Sequence, residues 1–419
     1  MRWLAYAALW LFVFSVPWEN SLVIPGLGVI SRFTGMLAFG MTMVAIVVTG
    51  RIRRWQAFHV AALLFVIWVG GVLWVNSNEP TLPLKFWTYP QLFLVLWMVW
   101  ELAHSRLRQT GLMLAFVFGA LVTAFQTIIT YRLQAELRRF STGTSDPNAV
   151  AMTLALALPI AWYVGMTHHR TLVRWVCRAY LPVGLLAMAL TGSRGGLIAG
   201  MIGLLIVPLT MVRLSPAKLA TVILLLALSG GLAATYVPDR IVQRLASTRE
   251  SVGARTLGGR AEIWRAGLQA FAHRPLTGYG TGAFRTAAFP WLGEMRSAHN
   301  SFISVLVEQG IVGFILYSAM FVIVFRAILT LPLLERRFAL VLFATLVVTM
   351  LPLTSEESKP VWFILAALLG FSRAQGGWPG RAIPQTGRAT TSRPAPRRPL
   401  EPGPPLSTPV RRAGPDMSA

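Results

Sequence analysis

An all-α, polytopic membrane fold is what this sequence predicts, and three observations predict it. Of 419 residues, 55% are hydrophobic and only 13% charged, against about 25% charged in ordinary soluble domains. The apolar residues form repeated continuous runs of roughly 17–22, each long enough to cross a bilayer core. The runs do not alternate every second residue, which excludes a transmembrane β-barrel. The net charge of +23 sits mostly in short loops and the tail, a pattern that reports topology, so no nucleic-acid partner is expected. A single cysteine, Cys177, forms no internal disulfide.

The runs place about twelve spans, at 3–17, 33–49, 57–75, 84–103, 109–130, 148–166, 174–191, 195–212, 217–236, 301–328, 336–353 and 359–372. The first carries one charge and no small-residue cleavage site follows it, so it reads as a retained anchor. Arg51, Arg53 and Arg54, then Arg106 and Arg108, Arg170 and Arg174, Arg213 and Lys218, and Arg326, Arg336 and Arg337 fall on one side. Glu79, Lys85, Arg194, Glu356, Glu357 and Lys359 fall on the other. The positive-inside rule then puts both termini in the cytoplasm. Four regions follow: helices one to nine over 1–236, a large extracytoplasmic loop over 237–300 expected to carry the chemistry, helices ten to twelve over 301–372, and a tail over 373–419. The tail, with ten Pro and eight Arg against two acids, is expected to be disordered.

Two loops on the outer side break the charge rule. One, 131–147, holds Arg132, Arg138 and Arg139. The other, from Pro238 to His299, holds nine Arg, no Lys and four acids. Long loops translocate regardless of charge. The alternative is a cationic surface for phosphate, which the Arg guanidinium grips in a two-pronged manner that Lys cannot copy.

Particular residues stand out along these loops. Arg194 lies in Thr191-Gly192-Ser193-Arg194-Gly195-Gly196, a hairpin that keeps the charge at the membrane surface. It reads as a snorkelling side chain or as a phosphate contact. Asp146 with Pro147 is an N-cap and first-turn signal. Gly259 to Trp264 opens a helix to Ala272, whose Ile263, Trp264, Leu268 and Phe271 share a side as in a helix lying at the bilayer surface. Arg260 and Arg265 belong to it, and Arg260 falls in the first turn, where anions are favoured. Gly278-Tyr279-Gly280-Thr281-Gly282 follows a helix rather than a strand, so it reads as a tight turn and not a dinucleotide site.

Of six histidines, only His273 and His299 fall outside, and only His299 sits where loop meets span. It reads as an acid–base residue or as a structural bridge. Asn300 adjoins it. Glu308, roughly two turns on, is an intramembrane carboxylate that pairs with an Arg or holds its helix in place. No outward cluster has metal-ligand spacing and Asp-x-Asp is absent, so no metal or other cofactor is expected.

Together Ser145–Asn148, Thr191–Gly196, Gly259–Trp264, Pro275–Phe284 and Ala298–Gly313 resemble the O-antigen ligase and polymerase superfamily, which includes bacterial protein O-oligosaccharyltransferases. The resemblance spans roughly residues 140–330. It implies a fold like class C glycosyltransferases in the bacterial inner membrane, with the active site on the extracytoplasmic face. It also implies metal-free transfer of a glycan from an undecaprenyl-diphosphate donor to a hydroxyl on a glycan or lipid-linked acceptor. By position, Arg194 and Arg260 match the family's diphosphate-binding arginines and His299 its essential histidine. Arg265, Asp146, Asn300, Glu308 and Gly280 are expected beside the substrate. The rival from another class is a polyprenyl-linked glycan transporter, which places ionisable residues near mid-membrane and repeats its halves. Here the polar residues gather at one face.

Overall fold

The structure, a computed structural model, describes residues 1–24, 28–75, 86–134, 140–141, 145–210, 216–246 and 259–374. The expectations for Glu79, Lys85, Arg138, Arg139, Thr144, Arg213, Arg249, Glu250, Arg255 and the tail beyond Ala374 lie outside these residues. Chain contacts define two units, Met1–Gly380 and Arg381–Ala419, and the described residues all belong to the first.

In chain order the helices are α1 (Arg2–Ser15), α2 (Ile30–Thr49), α3 (Ala57–Val75), α4 (Thr88–Leu102), α5 (Arg106–Leu133), α6 (Pro147–Thr167), α7 (Thr171–Leu190), α8 (Arg194–Leu204), α9 (Ile206–Thr210) and α10 (Pro216–Tyr236). They continue as α11 (Asp239–Ala246), α12 (Arg260–His273), α13 (Phe284–Leu292), α14 (Ser301–Leu329), α15 (Leu333–Met350) and α16 (Lys359–Arg373). Among the described residues, seven helices are long and apolar enough to cross a membrane: α2, α3, α5, α6, α7, α10 and α14. The chain is therefore an all-α polytopic membrane protein. One small departure is an antiparallel pair of two-residue strands, Val23–Ile24 and Gly28–Val29.

Burial sorts these helices by role. The apolar window of α6 is 89% buried, whereas that of α10 is 6% buried, so α6 is a central post and α10 faces outward. Around α6 pack α5, α7, α8 and α15. Ion pairs tie the helix ends: Arg2 with Glu101, Arg106 with Glu335 at 2.9 Å, and Lys359 with Glu19 at 2.7 Å.

Two of the expected spans are interrupted. The eighth breaks at Leu205, between α8 and α9. In α14 the backbone breaks at Gly310, with φ 65° and ψ −172°, a region that only glycine adopts without strain. The break frees carbonyls of the preceding turn, and the loop 275–282 supplies their partners. Tyr279 N–H donates to the Val307 carbonyl at 3.2 Å, Gly280 N–H to the Glu308 carbonyl at 2.7 Å, and Ile311 N–H to the Pro275 carbonyl at 2.8 Å. Backbone approaches backbone closely here, since a Cβ on Gly278 would stand 2.6 Å from the Glu308 carbonyl atoms. At 29 residues and about 1.5 Å each, α14 exceeds a core of about 30 Å.

The apolar side of α12 corrects an expectation. It does not lie free at a bilayer surface: Ile263, Ala266 and Ala270 are buried against Phe284, Ala287, Ala288 and Val307. A helix stripe is satisfied by protein or by lipid alike, and here α13 and α14 cover it. Leu268, expected on the same side, stays exposed.

G310A tests the break. It is expected to cost at least about 1–3 kcal/mol from the backbone conformation alone, read as a lower unfolding temperature in detergent. An unchanged temperature would mean the helix runs through without a break.

Candidate active site

Four helix N-termini carry the residues singled out by sequence. Asp146 caps α6, its Oδ1 accepting the Asn148 N–H at 2.6 Å. Ser193 caps α8 by accepting the Gly196 N–H, so Arg194 is that helix's first residue. Gly259 precedes α12, which begins with Arg260. Asn300 caps α14, its Oδ1 accepting from the N–H groups of Phe302 and Ile303 at 3.0 and 3.1 Å, and His299 stands just before it. Helix N-termini present unbonded N–H groups and partial positive charge, a setting that favours anions.

Short-range contacts stitch these ends together. Ser193 Oγ donates to Asn148 Oδ1 at 2.9 Å and joins α8 to α6. Gly195 packs on Pro352, beyond the end of α15. Two residues on, Thr354 Oγ1 accepts the His299 N–H at 2.9 Å. The Trp264 indole, one turn after Arg260, donates to the Ala298 carbonyl at 2.9 Å. Ser301 Oγ donates to the Leu353 carbonyl at 2.8 Å and accepts the Ser355 N–H at 2.9 Å. A continuous path thus runs from Arg194 through residues 352–354 and 298–299 to Arg260.

His299 is held in an uncommon conformation. Among the described residues it is the one non-glycine with positive φ, at 46°. Such a backbone persists where its surroundings over-determine it. Here the flanking Ala298 carbonyl, the His299 N–H and the Asn300 side chain are all fixed by the bonds above.

The charges bear on one another. Burial lowers the Arg260 pKa from its ordinary value, and the Arg194 guanidinium lowers it further. The His299 pKa is also lowered, first by burial and then by Arg260, with Arg296 and Arg285 adding to it and the Asp146 carboxylate opposing. Arg194, Arg260, His299 and Asp146, from four separate stretches, therefore share one electrostatic neighbourhood. The result is a half-buried neutral imidazole beside guanidinium groups, a combination suited to accepting a proton near an anion.

The remaining expected residues have other surroundings. Arg265 is exposed and lies about 140° around the helix from Arg260. Asn300 Oδ1 is engaged by the α14 cap. The Glu308 carboxylate, 4% exposed, accepts from the backbone N–H of Gly282 at 2.7 Å and Phe284 at 3.2 Å. It thereby anchors the start of α13 to α14. Gly280 gives its N–H to the Glu308 carbonyl. These last three have those groups engaged within the protein and frame the site. Sequence reasoning missed Thr354, Ser301 and the indole of Trp264 as supports; the polar run Thr354-Ser355-Glu356-Glu357-Ser358 was the available signal.

Residues 179–318 match the model of the O-antigen ligase family. That stretch contains Arg194, Arg260 and His299 and both sides of the Gly310 clamp. None of the curated proteins matches the chain.

The cationic cluster is testable with a simple anion. Inorganic pyrophosphate is expected to raise the unfolding temperature in detergent, by the equivalent of about 2.7 kcal/mol at a hundred times Kd. R194Q and R260Q are each expected to remove that gain; a gain kept by both would place the anion elsewhere.

Proposed function

We propose, from the O-antigen ligase similarity over residues 179–318, that this protein is a membrane glycan transferase. It takes a glycan from an undecaprenyl-diphosphate donor and transfers it to a hydroxyl on a glycan or lipid-linked acceptor. In this reading the chain crosses the bacterial inner membrane about twelve times, with both termini inside and the active site on the extracytoplasmic face. The observation that carries it is the position of Arg260, whose charge bears on His299 while Arg194 bears on Arg260.

The chemistry follows from those three groups. The acceptor oxygen attacks the anomeric carbon, and the bond from that carbon to the diphosphate oxygen breaks. The hydroxyl proton passes to the His299 ring, and the diphosphate leaves with the bonding electron pair. Arg194 and Arg260 stabilise the charge that develops on it. Direct displacement inverts the anomeric carbon. No metal is needed in this scheme, since the guanidinium groups oppose the phosphate charge. Asp146 supports the imidazolium formed during the step. Glu308, Asn300 and Gly280 keep the loop and the start of α14 in register, and Arg265 contributes charge at the rim.

A lowered His299 pKa has a signed consequence. The ring must be neutral to act, so on the acid side activity is lost as pH falls through that lowered value, below the ordinary histidine range near 6.5. The rate of transfer from a lipid-linked donor in membranes, followed against pH, is expected to show this acid limb. H299A is expected to lower transfer by about 10²–10⁴. R260K keeps the charge but not the two-pronged geometry, so it is expected to stay impaired. Near wild-type transfer by H299A or R260A removes the role assigned to that residue.

A further inference from the structure

Glu356 is buried next to the site and lies outside the matched segment. It is 3% exposed, in the segment 351–358 that separates α15 from α16. This is the same segment whose Thr354 holds His299 and whose Leu353 and Ser355 hold Ser301. The Glu356 carbonyl accepts the Trp362 indole N–H at 2.8 Å, which pins the segment to α16. Its carboxyl faces the hydroxyls of Ser304 and Ser301, in the first turn of α14. Glu356 thus lies between the segment that carries Thr354 and the first turn of α14, which Asn300 caps.

The charge state of this carboxyl is constrained by its company. Among the described residues, Oε2 has no hydrogen-bond partner. Lys359, the cation three residues on, pairs with Glu19. Among the described residues, the titratable groups that bear on this carboxyl are an acid and two phenols. Glu357 adjoins it, Ser304 also donates to Glu308 at 3.4 Å, and Tyr89 of α4 and Tyr317 of α14 lie within reach of its charge. A buried carboxylate without a cation is costly, and protonation is the usual escape. Accordingly burial pushes the Glu356 pKa up to about 7, with Glu357 adding to the rise and the serine hydroxyls opposing it.

We propose that Glu356 is the positioning residue for His299: as a neutral acid it braces the 353–356 segment against the first turn of α14, and its ionisation slackens that brace. The sign follows from the raised pKa. The stabilisation is complete below the ordinary carboxylate range, where folded and unfolded chains are both protonated, and is lost as pH rises through about 7. Above that point the brace carries a charge facing Glu357. The site then has two limits, an acid one set by His299 and an alkaline one set by Glu356. The inference rests on the reading of His299 as the proton acceptor.

E356Q and E356A separate the brace from mere folding. Glutamine keeps a neutral, hydrogen-bonding head; alanine removes it. In transfer assays against pH, E356Q is expected to keep wild-type kcat at pH 6 and to lose the decline above pH 7. E356A is expected to lower kcat by about 10²-fold, the scale of a 1 Å misplacement, with KM unchanged. Independently of activity, carbethoxylation of His299 by diethyl pyrocarbonate, followed by mass spectrometry, is expected to quicken several-fold in E356A and not in E356Q. An alkaline decline retained in E356Q, or wild-type His299 reactivity in E356A, overturns the proposal. If the wild-type protein transfers no glycan at all, the reading of the site fails. The His299 reactivities then decide the brace alone: faster in E356A supports it, equal overturns it.

Discussion

The backbone pairing between residues 275–280 and 307–311 is the constraint on which the rest of the candidate site depends. A helix broken within or beside an apolar medium leaves carbonyls that must find partners in the protein. Gly310 breaks α14, and the loop from Pro275 to Gly280 supplies the donors while its own proline carbonyl takes the Ile311 N–H. The Glu308 carboxylate, on the turn just before the break, reaches the backbone of Gly282 and Phe284. Loop and helix are therefore one object. With the loop docked, α12 and α13 can bury their shared apolar faces against α14, and only then does Arg260 stand at a defined place.

The site built on this frame is a concentration of positive potential. Asp146 is the acid that bears on His299, against Arg260, Arg285 and Arg296. Burial and the Arg194 guanidinium lower the Arg260 pKa, an arrangement that does not favour stability by itself. Helix N-termini at Arg194, Arg260 and Asn300 reinforce the same sign. Burial and the neighbouring cations disfavour protonation of the His299 imidazole, which is the basis for the base role proposed for it above.

Much of this was readable before any fold was in hand, and some of it was not. Arg194, Arg260 and His299 were singled out from loop position and residue type, and the structure places the three in one electrostatic neighbourhood. Glu308 was read correctly as unusual, with pairing to an Arg or holding of its helix left open; its carboxylate binds backbone N–H groups of a loop some 26 residues away in sequence. The apolar stripe of α12 was legible, but not what covers it, because a stripe encodes burial and not the identity of its cover. Thr354 and Ser355 were not singled out and Glu356 was read only for topology, since nothing in the sequence distinguishes a hydroxyl that holds a histidine backbone from one that meets water.

Hydropathy and charge by themselves determined the class, an all-α membrane protein with a polar, arginine-rich loop, because burial in lipid is a local property of each run of residues. The residue types in that loop left two readings open, a long translocated loop and a cationic surface for phosphate. Only the tertiary structure decided that Arg194, Arg260, His299 and Asp146 share one electrostatic neighbourhood, and that Glu356 is buried in the segment whose Thr354 holds the His299 backbone. The physical reason is range: helix formation and membrane partition are summed over neighbours in sequence, whereas a site assembled from four helix ends depends on hydrogen bonds and close contacts between stretches tens of residues or more apart.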